Sequence, residues 1–155
     1  MTAFNSNRFS GLDQGGFTLI EIVITMIVVG ILAAVAIPKF STMTDSSKII
    51  ATKEELTTLK KGIIGNPATI SGGELIDRGY EGDNGFAPSQ LLDLAKKPDS
   101  VSPYNRLTRL GWNGPYIDSS GGVYLKDAWG NNYIYSLSSR YILSVNGTDS
   151  IKVTF

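Results

Sequence analysis

A single glutamate interrupts a long apolar run. From Phe17 to Ile37 the only charged residue is Glu21, and Gly15-Gly16 stands immediately before the run. A carboxylate inside a membrane-length segment is expensive, roughly 2.5–3.5 kcal/mol at the centre and less near an end. Such a group ordinarily has a partner or a polar cavity; the alternative is that it reaches out to the headgroups. Elsewhere the residues able to do chemistry are few. The chain has no Cys and no His, which removes disulfides, thiolates, imidazole acid/base work and the usual zinc ligands. A Ser-His-Asp or Cys-His nucleophile cannot be built from it. Carboxylate-only catalysis and oxygen-ligand calcium remain.

Composition bounds the rest. The 155 residues suggest one domain, or one domain with an appendage, and fourteen basic residues balance fourteen acidic ones. The basic runs are no longer than the pairs Lys60-Lys61 and Lys96-Lys97, so no electrostatic case exists for nucleic acid. A helix from Phe17 to Ile37 would span roughly 30 Å, the thickness of a bilayer core. A secretory signal peptide would have a shorter apolar run and a small-residue site after it. Here the small-residue site, Gly15-Gly16, comes first. Residues 1–16, polar and rich in Asn, Ser and Gly, have the look of a removable leader; if it is cut after Gly16, the mature chain begins at Phe17.

Gly16-Phe17-Thr18-Leu19-Ile20-Glu21 resembles the cleavage and methylation signature of type IV pilins and type II secretion pseudopilins, and the likeness continues through Gly30 to Pro38. The resemblance implies that a membrane prepilin peptidase cuts after Gly16 and methylates the Phe17 amine. It implies that residues 17–38 first anchor the chain and then pack into a filament core. There Glu21 of one subunit would pair with the Phe17 amine of a neighbour. In low dielectric an unmatched charge is heavily disfavoured, so the pair would pin the register. Orientation has little support from charge, because Arg8 is cancelled by Asp13 and Lys39 follows the span. The resemblance alone sets the N-terminus inside and the soluble domain in the periplasm, anchored to a bacterial inner membrane.

Beyond Pro38, which removes one helical hydrogen bond and is expected to kink the helix, Ile49, Leu56, Leu59 and Ile63 form an apolar stripe. Gly65-Asn66-Pro67 stops that helix. Residues 39–65 thus form its amphipathic half and 66–155 a globular domain. Asn66 to Gly85 reads as a loop, and Pro88 as the opening of a short helix ending at Lys97. Pro103 to Asn113 reads as irregular. Period-two alternation follows: Tyr133, Tyr135 and Leu137; then Tyr141, Leu143 and Val145; then Ile151, Val153 and Phe155. With turns at Ser138-Ser139 and Asn146 to Asp149, this predicts a three-stranded antiparallel meander under the amphipathic helix half. The fold class is α+β.

A narrower likeness lies in Gly114-Pro115-Tyr116-Ile117 and in Lys126-Asp127-Ala128-Trp129-Gly130-Asn131-Asn132-Tyr133. These resemble a block of major pseudopilins, with Ala128 and Asn132 where that block has prolines. Asp127 can close an Asx turn while Trp129 enters the core and Gly130 takes a left-handed backbone; Asn131 completes the turn. Major pseudopilins often bind calcium, and the resemblance carries that option to Asp118, Asp127 and Asp149, with no other cofactor. Asn146-Gly147 reads equally as a plain turn.

The expected function is a non-enzymatic pseudopilin of type II protein secretion, polymerising with itself and with related minor pseudopilins. Its other partners would be the prepilin peptidase and an inner-membrane assembly platform. The alternative is a type IV pilin on a surface pilus, serving adhesion, motility or DNA uptake. A single-pass anchored binding module is the alternative from another class, and leaves Gly16 and Glu21 without a role.

Overall fold

The computed structural model describes residues 16–120, 124–147 and 149–155. The expected leader, apart from Gly16, lies outside the described residues, as do Arg8, Asp13, Gly15 and Thr148. The chain divides into two compact units, Met1–Thr42 and Met43–Phe155, and helix α1 (Leu19–Ile64) contributes to both.

The first part of α1 is rich in Ile and Val, which favour strands in water. In hydrocarbon no water satisfies the backbone, and a lone segment must therefore be helical. The side chains follow the same logic: Thr25 donates its hydroxyl to the Ile22 carbonyl at 2.8 Å. Pro38 lies inside α1, and its carbonyl accepts the hydroxyls of Ser41 and Thr42 at 2.9 and 2.8 Å. At the far end Gly65 adopts φ 84°, and its N–H bonds back to the Lys61 carbonyl. This left-handed cap closes α1 at the position expected.

In the second unit, Leu56, Leu59 and Ile63 of α1 are buried as the stripe predicts. Thr52 and Gly62 are buried with them, which apolar counting missed. Gly62 is there because the chain crosses tightly: a Cβ would stand 2.8 Å from Ile117 Cγ2 and 3.2 Å from the Tyr116 carbonyl. Against this stripe pack Tyr80, Leu91, Leu94, Ile117, Tyr133 and Ile142.

The segment expected to be a loop, 66–85, holds three elements. Strands β1 (Ile70–Ser71) and β2 (Glu74–Leu75) form a small hairpin, followed by helix α2 (Gly79–Asn84). Gly72 and Gly73 both have positive φ, as the two-residue hairpin turn demands. Helix α2 has weak local propensity; Tyr80, 1% exposed, secures it to the core. The helix expected from Pro88 to Lys97 contracts to one 3-10 turn, Leu91–Leu94. Its start is set by Gln90 and Asp93, whose carboxylate accepts the N–H groups of Ser89 and Gln90. Residues 103–113 are irregular, with only isolated bridges.

The meander is present: β3 (Ile134–Ser136), β4 (Tyr141–Asn146) and β5 (Asp149–Thr154), antiparallel in the order β3-β4-β5. Register aligns Tyr135, Ile142 and Val153 across one face, and Ser144 with Ile151. Tyr133, Tyr135 and the residues of β5 face as expected, but Leu137 lies beyond β3 and is 44% exposed, and β4 is inverted. Ile142 and Ser144 point inward at 0% and 2% exposure, while Val145 is 39% exposed. The inversion follows from a buried hydrogen bond made by Ser144, described below. The fold is thus α+β, a long apolar N-terminal helix followed by a small antiparallel sheet.

Candidate functional site

In the first unit Gly16, Phe17 and Thr18 precede α1. Thr18 caps the helix. Its hydroxyl accepts the Glu21 N–H at 3.3 Å, and its carbonyl accepts those of Glu21 and Ile22. Thr18-x-x-Glu21 is therefore a capping-box spacing, a local signal that was readable but passed over. Glu21 also sits favourably in the first turn of the helix dipole. Its side-chain carboxylate has no hydrogen-bond or ion-pair partner among the described residues. Around it Phe17, Leu19, Ile20, Ile24 and Met26 are all more than half exposed. None of the most apolar window of α1 is buried within the chain. This surface needs either lipid or another protein to cover it.

The second unit contains the turn built on Asp127. Its carboxylate is buried. Oδ1 accepts the backbone N–H groups of Trp129 and Asn131 at 3.0 and 2.8 Å, and Oδ2 accepts the Ser144 hydroxyl at 2.7 Å. Gly130 has φ 89°, and the Asn131 side chain donates to the Val145 carbonyl at 3.3 Å. From α1, buried Thr52 accepts the Ala128 N–H at 3.2 Å. Burial alone would raise the Asp127 carboxyl, but the bonds from Ser144, Asn131 and Trp129 outweigh it and hold it below the usual carboxylate range. Trp129 does not enter the core. It is half-buried and lines a hollow beside Ile49, because the inward place is taken by the carboxylate and Ser144.

The block at 114–117 braces the same unit. A Cβ at Gly114 would collide with the Trp112 and Tyr116 rings. Tyr116 packs edge-on against Tyr80 and Trp112. Its hydroxyl donates to Asp83 at 3.2 Å and accepts the Asn113 N–H at 2.9 Å. On the sheet side, Tyr133 donates to Glu55 of α1 at 2.6 Å, and Tyr135 to the Pro88 carbonyl at 2.7 Å.

Burial pushes the Tyr116 and Tyr135 hydroxyls up to about 12 from an ordinary 10.0. The unfolded chain releases these protons from about pH 10, whereas the folded unit keeps them to about 12. Over that window the unfolded state binds fewer protons, so stability falls as pH rises. The melting temperature of the full chain in detergent should drop between pH 10 and 12. Replacing both tyrosines by Phe should flatten that drop; an unchanged slope would refute the assignment.

The three acidic residues considered for calcium do not form one site. Asp118 is exposed and accepts both the N–H and the hydroxyl of Ser120. Asp127 is surrounded by donors, which suits a carboxylate but repels a cation. Asp149 is exposed at the start of β5. Among the described residues no group of three or more acidic side chains converges to hold a metal. Among the described residues, then, the three carboxylates do not converge on one point.

Comparison with known proteins adds independent findings. Residues 12–37 match the prokaryotic N-terminal methylation motif. A fimbrial protein of Pseudomonas aeruginosa is 36% identical over 88 residues, 54% of this chain. The match spans little more than half, 56%, of that protein's length. Type II secretion system core protein G of Pseudomonas aeruginosa is 32% identical over 131 residues, covering 79% of this chain and 73% of that protein. Its counterpart in Xanthomonas campestris pv. campestris is 29% identical over 126 residues, covering 81% and 71%. No solved structure gives a significant match.

Proposed function

The chain belongs to the type IV pilin and pseudopilin family, and from that membership we propose that it is the repeating subunit of a pseudopilus serving type II protein secretion. The observation that carries the finer reading is the reach of the similarity. The likeness to core protein G extends over 131 residues, far beyond the N-terminal helix that all such subunits have in common. The Asp127–Asn131 turn, where the narrower likeness lay, is the structural hub of the second unit. A surface pilus subunit is the other reading, supported by the 36% identity to a fimbrial protein over a shorter stretch.

In the proposed sequence of events, residues 17–38 anchor the precursor in the inner membrane with the second unit in the periplasm. The prepilin peptidase cuts after Gly16 and methylates Phe17. The assembly platform then moves subunits, together with related minor pseudopilins, from lipid into a filament. Gly16 is compatible with a cleavage role: among the described residues a Cβ there would meet nothing within 4 Å, so no described neighbour demands a glycine. A peptidase that must admit the backbone closely would.

Mass spectrometry of the membrane-bound protein should find a chain starting at N-methyl-Phe17. A mature protein retaining residues 1–16 would overturn the filament reading. Deleting the gene should reduce exported proteins and leave surface pili intact; loss of surface pili with normal export would favour the pilus instead.

A further inference from the structure

Five charges of α1 lie between Lys53 and Lys61. Across Lys53-Glu54-Glu55 and Lys60-Lys61, opposite charges are never three or four residues apart, so none can pair along the helix. Nor do they pair across the fold. Among the described residues the ion pairs belong to Arg78, Arg109 and Arg140, and no lysine has an acidic partner. With 3.6 residues per turn, Glu55 and Lys53 fall on opposite flanks of the buried stripe formed by Thr52, Leu56, Leu59 and Ile63.

Each flank borders a hollow. On the acidic side a groove of about 590 Å³ has Leu59, Ile117 and Tyr124 in its lining and Glu54, Glu55 and Asp118 as its charges. On the other side a hollow of about 370 Å³ carries Lys53 and Lys152 around Trp129, with Asp149 its acidic member. Lys152 is exposed, its ammonium held 4.4 Å from the centre of the Tyr141 ring.

We propose that the acidic groove of one copy receives the Lys53–Lys152 corner of a second copy of this chain. Apolar lining suits the lysine methylene stems, and the carboxylates suit the ammonium groups. The two surfaces differ and lie on different flanks, so the contact is head-to-tail. Such a contact leaves one groove and one basic corner free at the ends and propagates into an open helix unless the rotation closes it. A self-complementary contact would stop at a dimer. The inference rests on the filament reading and says which surfaces of the second unit register one subunit on the next.

The chain lacks cysteine, so introduced thiols report only their own positions. Full-length chains carrying Glu54→Cys are co-expressed with chains carrying Lys152→Cys in assembling cells, and filaments are oxidised. The expected result is a cross-linked dimer from the mixture and none from either variant alone. Dimers from Glu54→Cys alone would show groove meeting groove and overturn the proposal. Wild-type filaments with no cross-link in the mixture would overturn the docking while leaving the filament reading intact. Absence of wild-type filaments would overturn both. As a second measure, Glu54→Lys should lower filament yield about tenfold, and adding Lys152→Glu should restore it to within about twofold. Failure of the double reversal to restore yield would also overturn the pairing.

Discussion

Glu21→Ala should leave membrane insertion and leader removal unchanged and abolish filament assembly. The carboxylate has no partner among the described residues, while its surroundings are exposed apolar side chains. Removing it takes a costly charge out of lipid, so insertion does not suffer. Under the proposed function the same carboxylate would meet the Phe17 ammonium of a neighbour in a filament core, and its loss would leave that ammonium buried and unmatched. A competing role exists in the structure itself, since Glu21 occupies the third position of a helix capped by Thr18. Glu21→Gln separates the two. Glutamine serves a capping box as well as glutamate but carries no charge. If pairing is the role, Glu21→Gln fails to assemble like Glu21→Ala. Wild-type filament yield from Glu21→Gln, counted by electron microscopy, would reduce Glu21 to a capping residue.

The second large effect is expected at Asp127. Asp127→Ala strands three donors, the Ser144 hydroxyl and the N–H groups of Trp129 and Asn131. Leaving buried donors unmade costs about 1–3 kcal/mol each, partly recovered where water enters. A net loss of about 2–4 kcal/mol would lower the melting temperature by roughly 10–20 °C. Ser144→Ala, which removes one donor with its acceptor largely satisfied, should cost about 1 kcal/mol. The acid dependence has a definite sign. Because the folded carboxyl is held below its ordinary 3.8, its contribution is present above that pH and lost as pH falls through the folded value. The gap between wild type and Asp127→Ala should therefore narrow in strong acid. A melting temperature within a few degrees of wild type at neutral pH would show that the turn is not the hub described.

These two residues differ in how legible they were. Glu21 announces itself because a charge inside an apolar run violates the one-dimensional pattern. Asp127 does not. Its neighbour Trp129 is the larger apolar residue, and sequence logic sent that ring inward. The same logic set Tyr141, Leu143 and Val145 on the inner face of β4 because Ser144 looked like a surface residue. Once Asp127 is buried, Ser144 becomes its partner, and the phase of β4 follows by one residue. A side chain's polarity says that it needs a partner; it does not say whether that partner is water or a carboxylate seventeen residues away.

Short elements were lost for a related reason. The Gly72-Gly73 hairpin signal was present but stood among other loop-like residues. Helix α2 depends on burial of Tyr80 rather than on local propensity.

The sequence by itself determined the long helix, its N-terminal processing signature, its cap at Gly65 and the three-stranded meander. All of these rest on local periodicity, local backbone demands or contiguous motif residues. Only the tertiary structure decided the inner face of β4, the burial of Asp127 and Ser144, and the outward place of Trp129. It also decided which charged side chains border the two hollows beside α1. Those depend on which groups meet across the fold, and a hydrogen bond between residues 127 and 144 leaves no period in the chain to read.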